Sequence, residues 1–216
     1  MTKKILILGC SHVSGHGFED APNGERHSKH AWPAKILKDF DVEIVNYSAP
    51  GQSTTYCVEK LQNYSDKKSL SAIMVLLPFR LRMLMSKTLA NGTVVDVANN
   101  LCGIGDARWE SVLENYQMIC HNWRVHDIDF LAYYGYFQWI SYMYNIPLWI
   151  SCSIQEDLIF LKNNGIELSM PTAWYTWCEE NKFPRLRDDH FGHEAHEQIY
   201  LKYIKPWLQE KVFSCS

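Results

Sequence analysis

The stretch Lys4 to Gly9, KILILG, is a short run of β-favouring apolar residues that ends in glycine. A strand that is covered on both faces has such a continuous apolar pattern, because neither face meets water. The run therefore predicts a central parallel strand near the start of the chain.

The residues that follow alternate between helix and strand patterns. Pro33 to Asp39 (PAKILKD) predicts a short helix, and Val42 to Gly51 (VEIVNYSAPG) predicts a second strand that ends at a Pro-Gly turn. Ala72 to Leu77 (AIMVLL) and Ile146 to Ile150 (IPLWI) predict two further buried strands. Because parallel strands need long crossovers, this order predicts the α/β class, with a three-layer α/β/α sandwich and a mostly parallel, flavodoxin-like sheet.

Helical patterns fill most of the remaining chain. Val58 and Leu61 favour one helix, and residues 130–144 favour another. The last segment, from about Gly192, carries apolar residues at helical spacing: Ile199, Tyr203, Ile204, Trp207 and Leu208. Pro206 lies inside this stripe and is expected to kink or break the helix near residues 203–205.

Length and charge limit the classes of partner. The chain has 216 residues, which favours a single domain over residues 1–216, with an insertion at about 87–108 that either caps the site or forms a surface loop. Lys and Arg number 21 against 24 Asp and Glu, with a net charge of -3 and no long run of either sign. We therefore expect no nucleic-acid partner and no membrane partner.

The first residues and the cysteines indicate the compartment. The apolar stretch in MTKKILILGCSH is too short for a secretory signal. The 7 cysteines are odd in number and never form a CxxC pair, which favours free and mostly buried thiols. We therefore expect a cytoplasmic protein. Residues 130–155 carry no charge, but Asn145, Pro147 and several tyrosines favour a buried helix and strand over a membrane span.

Ligands of an open α/β sheet bind outside the carboxyl ends of the strands. The segments in that position are GCSHVSG (Gly9 to Gly15), NYSAPGQS (Asn46 to Ser53) and PFRLR (Pro78 to Arg82). The first offers Ser11 as a nucleophile that follows a strand directly. Such a serine is also a common helix N-cap, so its position alone does not establish catalysis.

A base for this serine is offered by the histidine-rich segment RDDHFGHEAH, residues 187–196. His190 would take the proton of the Ser11 hydroxyl, and Asp188, two residues earlier, would accept from the other ring nitrogen and fix the tautomer. These residue types in one loop predict a serine hydrolase.

The three segments and the histidine loop resemble, in this order, the blocks of the SGNH (GDSL-type) hydrolase family over nearly the whole chain. GCSHVSG stands where the family carries GDS, so Ser11 is similar to its catalytic serine, whose backbone N-H is one oxyanion donor. NYSAPGQS resembles the second block and makes Gly51 another donor, while DDHFGHEAH resembles the last block and implies roles for His190 and Asp188. The resemblance implies ester hydrolysis through an acyl-Ser11 intermediate, without a metal or an organic cofactor.

The chain departs from the family pattern at three places. Cys10 replaces the acidic residue beside the serine, and Asp188 stands two rather than three positions before His190. The latter spacing is associated with some bacterial polysaccharide acetyl-esterases and phage-encoded members. The third block, PFRLR, has no asparagine, so Arg80 is expected either to replace the missing oxyanion donor or to mark altered or lost activity. Asn91, Asn99 and Asn100 in the insertion are alternative donors.

Aromatic residues and histidines near these blocks suggest the ligand. His12 and His16 lie close to Ser11 in the chain and could line a pocket, and Trp174 and Trp177 precede the histidine loop. We expect His12, Trp174 and Trp177 to bind substrate. With the short Asp-His spacing, the aromatics favour an O-acetylated carbohydrate over other small-molecule esters.

Two other functions remain compatible with the sequence. The chain could be a non-catalytic binding or structural protein that keeps the fold, and a virion component if it is phage-encoded. It could also be a metal-dependent hydrolase that uses His190, His193 and His196, but residues at this spacing drift around a helix and we expect no metal. His193 and His196 are more typical of surface or packing positions. The sequence leaves the oligomeric state open.

Overall fold

A computed structural model describes residues 2–22, 24, 26–80, 82–88, 94–100, 123–186 and 190–214, of which 82–88, 94–100 and 123–125 are described by their backbone. Its strands are β1 (Lys3–Leu8), β2 (Val42–Asn46), β3 (Leu70–Leu77), β4 (Arg82–Thr88), β5 (Val94–Asn100) and β6 (Leu148–Cys152). Within the described residues, four strands form a parallel sheet in the order β2-β1-β3-β6. The predicted parallel sheet, with its first strand in the interior, is confirmed.

Side chains of the inner strands alternate between the two faces of this sheet. In β1, Ile5 and Ile7 belong to one buried cluster, and Leu6 and Leu8 belong to the other. The same alternation continues in β3, where Met74 faces the first cluster and its neighbours face the second. Both faces are covered, which is why the inner strands are apolar at every position.

Helices cover the sheet on both sides. They are α1 (Ser11–Ser14), α2 (Trp32–Asp39), α3 (Thr54–Asn63), α4 (Trp123–Tyr144), α5 (Gln155–Asn163), α6 (Trp174–Glu180), α7 (His193–Ile199) and α8 (Lys205–Lys211). Helices α2, α6, α7 and α8 contribute to the cluster on one face, and α3, α4 and α5 contribute to the cluster on the other. The molecule is therefore the three-layer α/β/α sandwich that the sequence predicts.

The second strand ends at Asn46, where the segment that the sequence places beyond it begins. The backbone N-H and the hydroxyl of Ser48 donate to Asn46 Oδ1 at 2.9 and 2.7 Å. An Asn side chain that captures the backbone two residues ahead forms a turn in place of a strand ladder. The loop that follows is therefore already turning above the sheet at residue 48.

The last helix changes from α to π geometry close to Pro206, where the sequence predicts a kink or a break. A π-helical turn over Tyr200–Ile204 separates α7 from α8, and Pro206 lies at the start of α8. Proline has no N-H to donate to the carbonyl four residues earlier, and a wider turn before it accommodates the lost bond.

An antiparallel pair of strands overlaps the start of the predicted insertion. Strands β4 and β5 pair from Arg82 with Asn100 to Thr88 with Val94, in a sheet separate from the central one. Residues 101–122 and Asn91 lie outside the described residues, so capping of the site by the insertion and the single-domain organisation stay predictions.

The structure also describes the surroundings of four cysteines and the character of the helices. Cys10, Cys57, Cys152 and Cys178 are buried free thiols, as predicted, and the other cysteines lie outside the described residues. Among the helices that the structure describes, none has both the length and the apolar character needed to cross a membrane.

Candidate active site

Ser11 begins helix α1 immediately beyond the carboxyl end of β1. Its side chain lies in the protein interior with 7% of the residue exposed. The first N-H groups of any helix have no partner within that helix, so this position offers backbone donors beside the hydroxyl. Ser11 therefore has the placement that a nucleophile with an adjacent oxyanion donor needs.

Gly9 allows α1 to turn this closely over the sheet. A Cβ at position 9 would lie 2.4 Å from Val13 Cγ2 and 3.2 Å from the carbonyl oxygen of Leu76. Gly15 ends the helix in the left-handed region, with φ at 74°, and its N-H donates to the Ser11 carbonyl at 3.0 Å. The two glycines of the GCSHVSG segment thus fix both ends of the short helix that carries Ser11.

His190 reaches this helix from the other end of the chain. Its carbonyl accepts from the Leu186 N-H at 2.6 Å, and the next residue, Phe191, is buried in the core. The His190 ring centroid lies 4.9 Å from that of His12 and 5.1 Å from that of His16. The structure therefore brings the predicted base beside the segment that begins with the predicted nucleophile.

His12 lies between this base and a tyrosine. It is 4% exposed, and its ring meets the Tyr175 ring edge-on at 4.8 Å between centroids. Tyr175 also contacts Phe191 at 5.4 Å, so it holds both His12 and the backbone next to His190. His12 is thus part of the cluster around the candidate site, and its role in substrate binding stays a prediction.

Trp174 and Trp177 belong to the core. They are 0% and 3% exposed, and both lie in the cluster that packs under the sheet face. The Trp174 ring lies 6.3 Å from the His12 ring between centroids, and Tyr175 of the same helix meets His12 more closely, at 4.8 Å. Sequence reasoning missed Tyr175, although residues 174 and 177 share one helical face and leave residue 175 on another.

The predicted orienting residue, Asp188, lies outside the described residues. Its role as the hydrogen-bond partner of His190 stays a prediction. Among the residues that the structure describes, there is no group of three or more His, Cys, Asp or Glu side chains that could hold a metal ion.

Gly51 lies in the loop that follows β2. It has φ at 74°, in the left-handed region, and an added Cβ would meet nothing within 4 Å, so the backbone here faces open space. The loop is tied to the end of β1, because the Ala49 N-H donates to the Gly9 carbonyl at 3.4 Å. Oxyanion donation by the Gly51 N-H stays a prediction.

Arg80 follows β3 and is held by two carboxylates. Its Nη1 donates to Asp127 Oδ1 at 2.5 Å, its backbone N-H donates to Asp157 Oδ2 at 2.8 Å, and its Nε lies 3.4 Å from Asp157 Oδ1. The guanidinium carbon also lies 4.5 Å from the centre of the Phe160 ring. Oxyanion donation by Arg80 stays a prediction, and it requires guanidinium N-H groups other than those that meet the carboxylates.

Asp157 is unusual within this network. It is 1% exposed, and burial raises the pKa of its carboxyl group to about 6, although the backbone N-H and charge of Arg80 act in the opposite direction. The loss of water around the carboxylate therefore outweighs the pairing with Arg80.

His196 is a packing residue and His193 is exposed, and both belong to the surface or packing positions that the sequence favours. His196 is buried, its Nδ1 accepts from the Trp32 N-H at 3.2 Å, and burial lowers its pKa to about 3. His193 meets the Phe18 ring edge-on at 4.5 Å. We therefore assign neither His193 nor His196 a role in the candidate active site.

Comparison with known proteins supports the fold. No family model and no curated protein matches the sequence. The crystal structure of TesA matches with 11% sequence identity, a TM-score of 0.54, and 96% of this chain and 98% of that chain covered. A protein of the G-D-S-L family from Desulfitobacterium hafniense DCB-2 matches with 13% identity, a TM-score of 0.50, and coverage of 96% and 100%. The chain therefore shares its α/β/α fold with these two proteins.

Proposed function

We propose that this protein is a serine ester hydrolase in which Ser11 is the nucleophile and His190 the general base. The observation that carries the proposal is the position of the His190 ring, 4.9 Å from the ring of His12, the residue next to Ser11. Catalysis by serine needs an imidazole within reach of the hydroxyl, and here it comes from a loop far away in the chain.

The proposed reaction has two steps. Ser11 Oγ attacks the carbonyl carbon of the ester and gives its proton to His190, which passes that proton to the departing alcohol oxygen as the C-O bond breaks. Water then attacks the acyl-Ser11 ester, with His190 again taking and returning the proton. Asp188 would accept from the other ring nitrogen, and the N-H groups of Ser11 and Gly51 would bind the oxyanion.

The substrate in this proposal is a small carboxylic ester. Similarity in fold to a G-D-S-L family protein supports ester hydrolysis in general. Within that class we favour an O-acetylated carbohydrate, because aromatic side chains stand next to the cluster at Tyr175 and Phe79. The scheme needs neither a metal nor an organic cofactor.

A second candidate function is ligand binding without turnover. The observation that favours it is the state of Arg80, whose guanidinium already meets Asp127 and Asp157 where the family pattern expects a donor to the oxyanion. Such a protein would keep the fold and a ligand site but would lack an activated serine.

Labelling with a fluorophosphonate, followed by location of the adduct by mass spectrometry, separates the two functions. We expect the adduct on Ser11, no adduct in Ser11→Ala, and a labelling rate reduced roughly 10²-fold or more in His190→Ala, since the base is lost. His193→Ala is the matched control, because this histidine packs against Phe18 and should leave the rate unchanged. A folded wild-type protein that does not react would favour the binding protein.

A further inference from the structure

A cleft of about 220 Å³ opens beside the candidate active site. Its apolar lining comes from Phe79, which follows β3, from Ile154, which follows β6, and from Tyr175 on α6. The Tyr175 ring also contacts His12, at 4.8 Å between centroids. The cleft and the cluster around Ser11 therefore share Tyr175 as a common wall.

The aromatic part of the lining is continuous. The rings of Phe79 and Tyr175 lie 6.1 Å apart between centroids, with their planes inclined at 53°. Rings this close leave no room for a ligand ring between them, so they form one angled surface against which a ligand can pack. Pockets for drug-sized ligands are about 300–1,000 Å³, so this cleft suits one small ring better than a long chain.

The rest of the lining is polar and its charged groups are carboxylates, while the Arg185 guanidinium lies beside the cleft, 5.8 Å from the centre of the Tyr175 ring. This polar part consists of Gln155, Glu156, Thr176 and Glu179, and among the described lining residues there is no Lys, Arg or His. Glu179 pairs with Arg185, whereas Glu156 is an exposed carboxylate at the start of α5. Amide, hydroxyl and carboxylate groups together can exchange hydrogen bonds with several hydroxyls of one ligand.

We propose that this cleft binds the alcohol part of the substrate as a single neutral sugar ring, and that Glu156 selects against acidic sugars. The inference rests on the proposed ester hydrolysis and names the class of leaving group. The apolar face of a sugar ring would pack on Phe79 and Tyr175, and its hydroxyls would meet the polar side chains. A carboxylate on the sugar would lie near Glu156 and would be repelled.

Selectivity between a neutral and an acidic sugar ester tests the proposal. We would compare hydrolysis of an O-acetylated methyl glucoside with that of the matching O-acetylated methyl glucuronide, at neutral pH and low salt. The wild type should prefer the glucoside, and Glu156→Lys should lower the ratio of the two kcat/KM values at least about fivefold by reversing the charge at the rim. Glu180→Lys, which changes a nearby carboxylate that does not line the cleft, should leave the ratio unchanged.

Two results would overturn the cleft assignment. One is an unchanged ratio in folded Glu156→Lys, and the other is hydrolysis of long-chain esters by a wild type that does not cleave the acetylated glucoside. Binding of methyl glucoside to Ser11→Ala, followed by NMR, separates this proposal from the proposed function. Shifts at the Tyr175 ring without any ester hydrolysis by the wild type support the cleft and contradict the hydrolase; hydrolysis of p-nitrophenyl acetate without such shifts contradicts the cleft alone.

Discussion

Gly9 is the residue on which the position of the nucleophile depends. It joins β1 to α1, and the space that a side chain would need is occupied by Val13 and by the backbone of Leu76. Neither neighbour moves easily, since Val13 packs in the core and Leu76 belongs to the central sheet. Position 9 therefore requires glycine because of the packing around it as well as because of the turn.

Gly9→Ala should displace α1 and weaken the site. We expect the free energy of unfolding to fall by about 1–3 kcal/mol, as for other overpacked interiors, and the fluorophosphonate labelling rate at Ser11 to fall with it. Urea denaturation and the labelling assay measure the two effects. Gly135→Ala in α4 is the control, because nothing lies within 4 Å of the added Cβ and a helical alanine should stabilise by about 0.5–1 kcal/mol. Unchanged stability and labelling in Gly9→Ala would show that the helix can shift without cost.

Asp157 should make stability depend on pH in an uncommon direction. Its carboxyl pKa is raised from 3.8 to about 6 by burial, so the folded chain binds this proton more tightly than the unfolded chain. The resulting stabilisation is fully present below pH 3.8 and is lost as the pH rises through about 6.

Asp157→Asn removes this titration. Between pH 4 and pH 7 the variant should gain stability relative to the wild type, by an amount of the order of 2 kcal/mol. Denaturation curves at several pH values give the difference, and Asp41→Asn on the surface is the control. A constant difference across this range would mean that the Asp157 carboxylate stays ionised beside Arg80.

At the scale of elements, the docking of α7 on α2 places the histidine loop. Nδ1 of His196 accepts from the Trp32 N-H at the start of α2, and its ring packs between Phe18 and Trp174, with centroids 5.1 Å from each. The loop that carries His190 ends where α7 begins, at His193. The contact between these helices therefore fixes one end of the segment that supplies the base.

His196→Gln tests this contact through pH. Burial lowers the pKa of His196 from 6.5 to about 3, so the stability that depends on the neutral ring is present above pH 6.5 and is lost as the pH falls towards 3. At pH 5 the loss in the wild type should be of the order of 2 kcal/mol, and the variant should lack it. Thermal unfolding at pH 5 and pH 7 measures the change in stability between the two pH values. The same change in the wild type and in the variant would contradict the prediction. His193→Gln, at an exposed position, should alter the pH dependence of stability less than His196→Gln does.

At the scale of the whole molecule, the site is assembled at one edge of the sheet from distant parts of the chain. Parallel strands end at a common edge, and in the order β2-β1-β3-β6 the chain leaves β1 towards β2 and leaves β3 towards β6, in opposite directions. That arrangement opens a crevice above β1 and β3, where Ser11 and Arg80 follow their strands. His190 and Tyr175 reach the same edge from α7 and α6 because both helices pack on one face of the sheet.

The sequence by itself determined the α/β class, the four strands of the parallel sheet, the irregular helical turn near Pro206, and the candidates Ser11 and His190. These features follow from the spacing of apolar residues, from the positions of proline and glycine, and from the order of the sequence blocks. Each of these signals can be read within a short stretch of the chain. Only the tertiary structure decided the environment of each side chain. It placed Trp174 and Trp177 in the core, Tyr175 at the wall of the cleft and Arg80 between two carboxylates. The burial and the pairing of a side chain depend on neighbours that the fold brings from remote positions in the chain. A local sequence pattern does not contain this information.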